Sequence, residues 1–373
     1  MISYLFLQHY WWIIVSLLAS LLVFLMFVQG GQSLIFSLPE SDLHTTMIIN
    51  ALGRKWEFTF TTLVTFGGAF FASFPLFYAT SFGGAYWLWI AILFSFIIQA
   101  VAYEFRSKPK NVFGRRTFDT FLFINGSLGP FLIGTAVATF FTGSQFILNE
   151  MNQVKWLTSW YGLEALMNVR NLALGFAVLL LSRINSLLYI INTINDQTLN
   201  DRSRKRLIVN SVFFLVFFLF FLISLVFSTG FAADPSTGAI TLVKHKYLLN
   251  FIQMPVVLAM CLAGVVGVLY GIGITVLRKS TKGIWFTGTG TVLAVFSLLL
   301  VAGFNGTSFY PSASDLESSL TIHNASSSRF TLTVMMYISF IIPFVFAYIW
   351  YAWKSINNSK INVDEMKSEE HKY

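Results

Sequence analysis

Residues 53–79 read GRKWEFTFTTLVTFGGAFFASFPLFYA. Arg54 and Lys55 stand ahead of Trp56 and Glu57, and a long apolar run follows, with a Gly67-Gly68 pair and a late Pro75. An indole and a carboxylate at the mouth of such a run sit where a membrane interface suits an amphipathic ring and still tolerates charge. The glycine pair lets a second helix approach closely. Glu57 suits two roles, binding and passing a proton or capping the helix against Arg54, and its chemistry alone leaves both open.

The rest of the chain makes this run one of several. Of 373 residues, 56% are hydrophobic and 11% charged, where a soluble domain carries roughly 25% charged residues. Mean hydropathy is +0.70. The expected fold is all-α and polytopic, a single transmembrane domain over residues 1–353 with a polar tail at 354–373 expected to be disordered. Nine apolar segments are long enough to span: roughly 10–28, 58–79, 86–104, 119–142, 165–195, 207–230, 250–277, 284–304 and 330–353. Trp11, Trp12, Trp87, Trp89, Trp160, Trp285 and Trp350 fall near segment ends, as interfacial anchors do. The N-terminus lacks a basic leader region, so the first segment is expected to stay as an anchor.

Charge sorts the loops. Odd-numbered loops plus the tail hold 18 Lys and Arg, and the even-numbered loops hold 4. The alternation predicts an outside N-terminus and a cytoplasmic C-terminus. It also explains the net charge of +8 without nucleic acid as a partner. The eighth loop, about 305–329, is rich in Ser, Thr and Asn and is expected to fold over the outer surface.

Cofactor and metal chemistry finds little here. Cys261 is the single cysteine, so thiolate clusters and intrachain disulfides are excluded. His9, His44, His245, His323 and His371 all lie outside the centres of the apolar segments, where a haem ligand would be needed. No haem and no metal site is expected on this chain. The FTGTGT run at 286–291 lies within an apolar segment without a strand before it or a lysine after it, so packing outweighs phosphate binding.

Two other polar sets stand out. Tyr103, Glu104, Arg106 and Lys108 close the third segment, either as a hydrogen-bonding set for a quinone or lipid head group or as an interfacial anchor with an internal ion pair. Arg183 lies well inside the fifth segment and needs a partner or a wet cavity. Glu57 and a carboxylate on another subunit are the candidates for that partner.

In order and spacing these residues resemble subunit II of the cytochrome bd quinol oxidases. The likeness runs from Trp11-Trp12 through Trp56-Glu57, Thr65-x-Gly67-Gly68-Ala69-x-Phe71-Ala72, Pro75, Tyr78-Ala79 and Glu104-Phe105-Arg106-Ser107-Lys108 to Pro311-Ser312 and Asn324-Ala325-Ser326-Ser327-Ser328. It implies a haem-free subunit in the bacterial cytoplasmic (inner) membrane, beside a subunit I that carries haem b and haem d. The complex would oxidise quinol and reduce dioxygen to water. A small single-helix subunit, membrane lipid and a bound quinone are further implied partners. Glu57 would line a proton path from the cytoplasm, oriented by Trp56, with Thr59, Thr61 and Thr62 carrying hydrogen bonds inward. Arg106, with Tyr103 and Glu104, would bind a quinone or lipid head group. The sequence departs from the family where an Asp-Gly-Phe-Asp segment usually ends the first helix, for here Gln29-Gly30-Gly31-Gln32 stands. The competing class is a solute or ion transporter using Glu57 or Arg183, but no internal repeat or interrupted helix supports it in the sequence.

Overall fold

The computed structural model describes residues 2–108, 111–356 and 360–362. Fourteen α-helices carry the chain. The first group is α1 (Tyr4–Leu25), α2 (Phe27–Gln32), α3 (Asp42–Gly53), α4 (Trp56–Ser73), α5 (Pro75–Phe77), α6 (Tyr86–Phe105) and α7 (Arg115–Thr142). The second is α8 (Val169–Thr193), α9 (Gln197–Val226), α10 (Lys246–Gln253), α11 (Pro255–Leu277), α12 (Gly283–Gly303), α13 (Arg329–Ser339) and α14 (Ile342–Ile356). Among the described residues, seven helices or helix runs are long and apolar enough to cross a membrane, and up to nine spans result when two bent pairs count as one each. The protein is an all-helical, polytopic membrane bundle.

Two expected spans are bent. The run at 58–79 breaks at Phe74, and the two halves meet at 117°. Pro75 has no N–H to donate and disfavours helical geometry in the residue before it, so Phe74 adopts φ −133°, ψ 65°. The chain then winds through a short π-helical turn at Tyr78–Gly83. This interrupted helix is one that the sequence did not announce. It lies at an end of the bundle, where Ser327 N–H donates to the Ser73 carbonyl (2.8 Å) and Trp156 Nε1 to the Thr80 carbonyl (3.1 Å). The last span bends by 41° between α13 and α14.

Other departures are smaller. Two antiparallel hairpins, Phe146–Leu148 with Val154–Trp156 and Thr229–Ala233 with Ile240–Lys244, occur between the helices. Trp11 and Trp12 are buried, and their Nε1 groups donate to the Leu332 and Leu299 carbonyls. Most of the expected tail, 357–359 and 363–373, lies outside the described residues, while Ile361 is held by backbone hydrogen bonds to Thr193 and Asn195.

Loops gather into two end faces. At one, Arg202 donates to the Leu38 carbonyl and pairs with Glu40, Arg204 reaches the Lys279 carbonyl, and Asn192 donates to the Thr281 carbonyl. At the other, Tyr4 OH donates to the Ser327 carbonyl, Ser144 N–H to the Pro311 carbonyl, and Ala233 N–H to the Gly306 carbonyl. Residues 304–328 thus fold over the face that also holds the N-terminus. Basic-rich odd loops share one face and even loops the other.

Close helix approach fixes the interior. A Cβ on Gly30 of α2 would lie 2.0 Å from the Ser182 carbonyl oxygen of α8, and one on Gly126 of α7 would lie 2.4 Å from Ser33 N. Both obstacles are backbone, so a side chain at either position forces the helices apart. Gly30→Ala is expected to destabilise the purified complex by about 1–3 kcal/mol, the usual cost of overpacking. Gly273→Ala, where a Cβ meets nothing within 4 Å, is expected to leave thermal unfolding unchanged; the two melting curves, recorded side by side, check this.

Candidate functional site

A buried polar cluster lies where α2, α6 and α4 meet. The Nε2 groups of Gln29 and Gln32 both donate to Oε1 of Gln99, at 2.6 and 2.8 Å. Gln32 Nε2 also reaches the Tyr103 hydroxyl at 3.0 Å. The Tyr103 ring stacks on Trp56, with centroids 5.7 Å apart and planes at 17°. Gln29, Gln32 and Gln99 are each wholly buried. Helix geometry accounts for the grouping: Gln29 and Gln32 are three apart and share a face of α2, and Gln99 and Tyr103 are four apart on α6. Gly30 and Gly31 between the glutamines allow α2 to press against α8 and α3, and Gly126 lets α7 approach it from another side.

The cluster has unused hydrogen-bonding capacity. Gln29 Oε1, Gln32 Oε1, Gln99 Nε2 and Trp56 Nε1 are buried without a protein partner among the described residues. Two acceptors and two donors are therefore left without a protein partner in a low-dielectric interior, where an unmade hydrogen bond costs about 1–3 kcal/mol each. The surroundings suit small groups that both donate and accept.

The other anticipated residues go to separate places. Glu57 is exposed in the first turn of α4, where the helix dipole favours a carboxylate. Thr59 is buried, but its hydroxyl donates to the Leu25 carbonyl (2.9 Å), and that of Thr62 to the Phe58 carbonyl (2.7 Å). These hydroxyl protons serve the backbone, while the side chains hydrogen-bonded to one another inward of Trp56 are Tyr103 and the glutamines. Lys55, read from sequence as a loop cation, is fully buried, with Nζ 4.2 Å from the Trp353 ring centre. A cation over an indole face is attracted by the ring quadrupole.

Arg106, Tyr103 and Glu104 do not form one set. Arg106 is buried and forks onto Asp119 of α7, Nε to Oδ1 at 2.6 Å and the second nitrogen to Oδ2 at 3.4 Å. Glu104 pairs with Lys108 at 2.9 Å on the surface, and Tyr103 turns inward. Arg183 of α8 meets neither Glu57 nor any other carboxylate in the described residues: its Nε donates to Ser33 Oγ at 2.7 Å, and that hydroxyl donates to the Gly30 carbonyl. Among the described residues, His, Cys, Asp and Glu form no group of three or more able to hold a metal ion.

Asp119 and Gln99 were within reach of sequence reasoning. Each is a polar residue inside or at the edge of an apolar segment, the same signal that singled out Arg183. Gln29 and Gln32 were noticed only as missing carboxylates.

Fold and site together define a polytopic helical membrane subunit whose interior holds a neutral hydrogen-bonding cluster and a buried ion pair. The chain belongs to the cytochrome bd terminal oxidase subunit II family, whose model matches residues 7–356. It is 27% identical over 372 residues to the cytochrome bd-I ubiquinol oxidase subunit 2 of Escherichia coli (strain K12), covering 95% of each chain. It is 29% identical over 354 residues to the cytochrome bd ubiquinol oxidase subunit 2 of Bacillus subtilis (strain 168), covering 91% of this chain and 92% of the relative. The fold matches a chain in the structure of bd oxidase from Geobacillus thermodenitrificans, with a TM-score of 0.64 and 13% identity over 95% of this chain and 98% of that one.

The Arg106–Asp119 pair yields a test. Arg106→Leu leaves a carboxylate without its partner in a nearly buried site, which costs about 3–5 kcal/mol. Assembled complex is expected to fall sharply, and Arg106→Leu with Asp119→Leu to recover most of it; yield and melting temperature in detergent are the readouts. If Arg106 served only a head group, the second substitution would rescue nothing.

Proposed function

We propose that this chain is the haem-free subunit II of a cytochrome bd-type quinol:oxygen oxidoreductase in a bacterial cytoplasmic membrane. It supports a subunit I that carries haem b and haem d, and it helps bring cytoplasmic protons to the site of dioxygen reduction. The relatives in Escherichia coli and Bacillus subtilis carry the names of ubiquinol oxidase subunits along nearly their whole length, which supports the assignment. The basic residues of the odd loops orient the bundle with that face in the cytoplasm.

The observation that supports the proton-supply role is a lead of polar and aromatic side chains from surface to interior, hydrogen-bonded from Tyr103 inward. Glu57 stands exposed on α4, next to Trp56; the Trp56 ring stacks on Tyr103, whose hydroxyl meets Gln32, and Gln32 and Gln29 converge on Gln99. Reducing one dioxygen to two waters consumes four protons and four electrons. Two quinols supply the electrons, and the protons must cross low-dielectric protein. A carboxylate at the entrance both takes and releases a proton. A phenol and three amides behind it donate and accept hydrogen bonds, so they orient mobile hydrogen-bonded groups without adding a charge to desolvate. Arg106, held by Asp119, braces α6 against α7 beside this lead.

Glu57→Gln is expected to leave haem content and assembly near normal while lowering quinol oxidase turnover and slowing proton uptake. Glu57→Asp is expected to keep much of the activity. Oxygen consumption in proteoliposomes with a pH indicator measures both. Normal turnover in a fully assembled Gln variant would remove Glu57 from the path.

A further inference from the structure

His9, on α1, and His323, in the segment that folds over the same end face, are far apart in sequence, yet their ring centres lie 6.0 Å apart at an interplanar angle of 51°. Both rings are braced. Phe304 packs edge-on against His9 with centroids 5.2 Å apart. Gln8, almost fully buried, grips His323 at two points: its Nε2 donates to the His323 carbonyl and its Oε1 faces Nδ1, each at 3.2 Å. Because the amide nitrogen is spent on the carbonyl, the Gln8 oxygen must accept from Nδ1. In the neutral ring the proton of His323 therefore sits on Nδ1, and Nε2 is the nitrogen free to ligate. Histidines that ligate metals are commonly held in this way, with the second ring nitrogen donating to a fixed acceptor.

We propose that His9 and His323 form a two-imidazole site for a divalent transition-metal ion of the Zn2+ or Cu2+ type. With metal–nitrogen bonds of about 2.0–2.1 Å, two imidazoles sharing an ion hold their centres about 5–6 Å apart, which the observed 6.0 Å spacing matches at its upper end. Imidazole ligands suit Zn, Cu and Ni and do not suit Mg or Ca. His323 is exposed and His9 half-buried, so the ion has an open approach and its remaining positions go to water. A bound ion would tie α1 to residues 304–328, which carry Phe309 and Tyr310 into the core. The site stands apart from the polar cluster and does not depend on the oxidase reading.

The purified complex, with its partner subunit, is titrated with ZnCl2 against a chromophoric chelator, and with CuCl2 under electron paramagnetic resonance. The wild type is expected to bind one ion more than either His9→Ala or His323→Ala, and Cu2+ to show coupling to two imidazole nitrogens at that site. Gln8→Leu is expected to weaken it about 10–100-fold, the usual effect of losing a group that orients a ligand. Complex yield and metal-free turnover are expected to stay normal in all three variants, so loss of binding cannot be mistaken for unfolding. Equal binding in wild type and both histidine variants would overturn the proposal. So would loss in only one of them, the mark of a single surface histidine. Unchanged affinity in Gln8→Leu would equally overturn it, because the clamp on His323 is part of the site.

Discussion

The interior depends on how closely α2 can approach α8. At Gly30 the two backbones pass with no room for a side chain: the Ser182 carbonyl occupies the space that a methyl would need. In a membrane there is no water to drive helices together, so packing of this kind and interhelical hydrogen bonds do the holding. Once α2 is seated, Ser33 reaches Arg183, and Gln29 and Gln32 reach Gln99. The same device recurs between α11 and α12, where a Cβ on Gly290 would lie 2.5 Å from the Gly264 carbonyl oxygen.

Charge in this interior is treated in three ways. Arg106 is neutralised by a forked carboxylate, the geometry that best offsets the cost of desolvating a guanidinium. Arg183 is only partly withdrawn from solvent and leans on a hydroxyl whose own proton goes to a backbone carbonyl. In the α2–α6 cluster charge is absent: its hydrogen bonds run among the amides of Gln29, Gln32 and Gln99 and the Tyr103 hydroxyl. An amide keeps the hydrogen-bonding reach of a carboxylate but does not titrate, so the cluster orients its neighbours without carrying charge.

The sequence disclosed the bundle well, because hydropathy and loop charge act over whole segments. The apolar runs mark the spans, and the basic odd loops share one end face. What it hid depends on pairs brought together by the fold. Asp119 was counted as the start of a span, and only the return of α7 past α6 shows it to be the partner of Arg106. Trp11 and Trp12 look like interfacial rings, yet carbonyls on α13 and α12 draw their indoles inward. Pro75 was visible, but the 117° turn follows from Phe74 leaving helical geometry while the chain finds partners at Ser327 and Trp156. Glu57 stands at the helix mouth where the sequence places it; the hydroxyl bonds behind it, Thr59 to the Leu25 carbonyl of α1 and Thr62 to the preceding turn, are set by the fold and by the habit of β-hydroxyls in helices.

The central claim is that this chain assembles with a haem-bearing subunit and ligates none of the haem itself. The most direct measurement is the reduced-minus-oxidised spectrum of the complex purified through a tag on this chain, recorded with its five histidines present and with all five replaced. The expected result is b-type and d-type bands in both preparations, alongside a second, haem-bearing chain in near-equal amount. A preparation with no haem bands, or one that loses a band when the histidines are replaced, would contradict it.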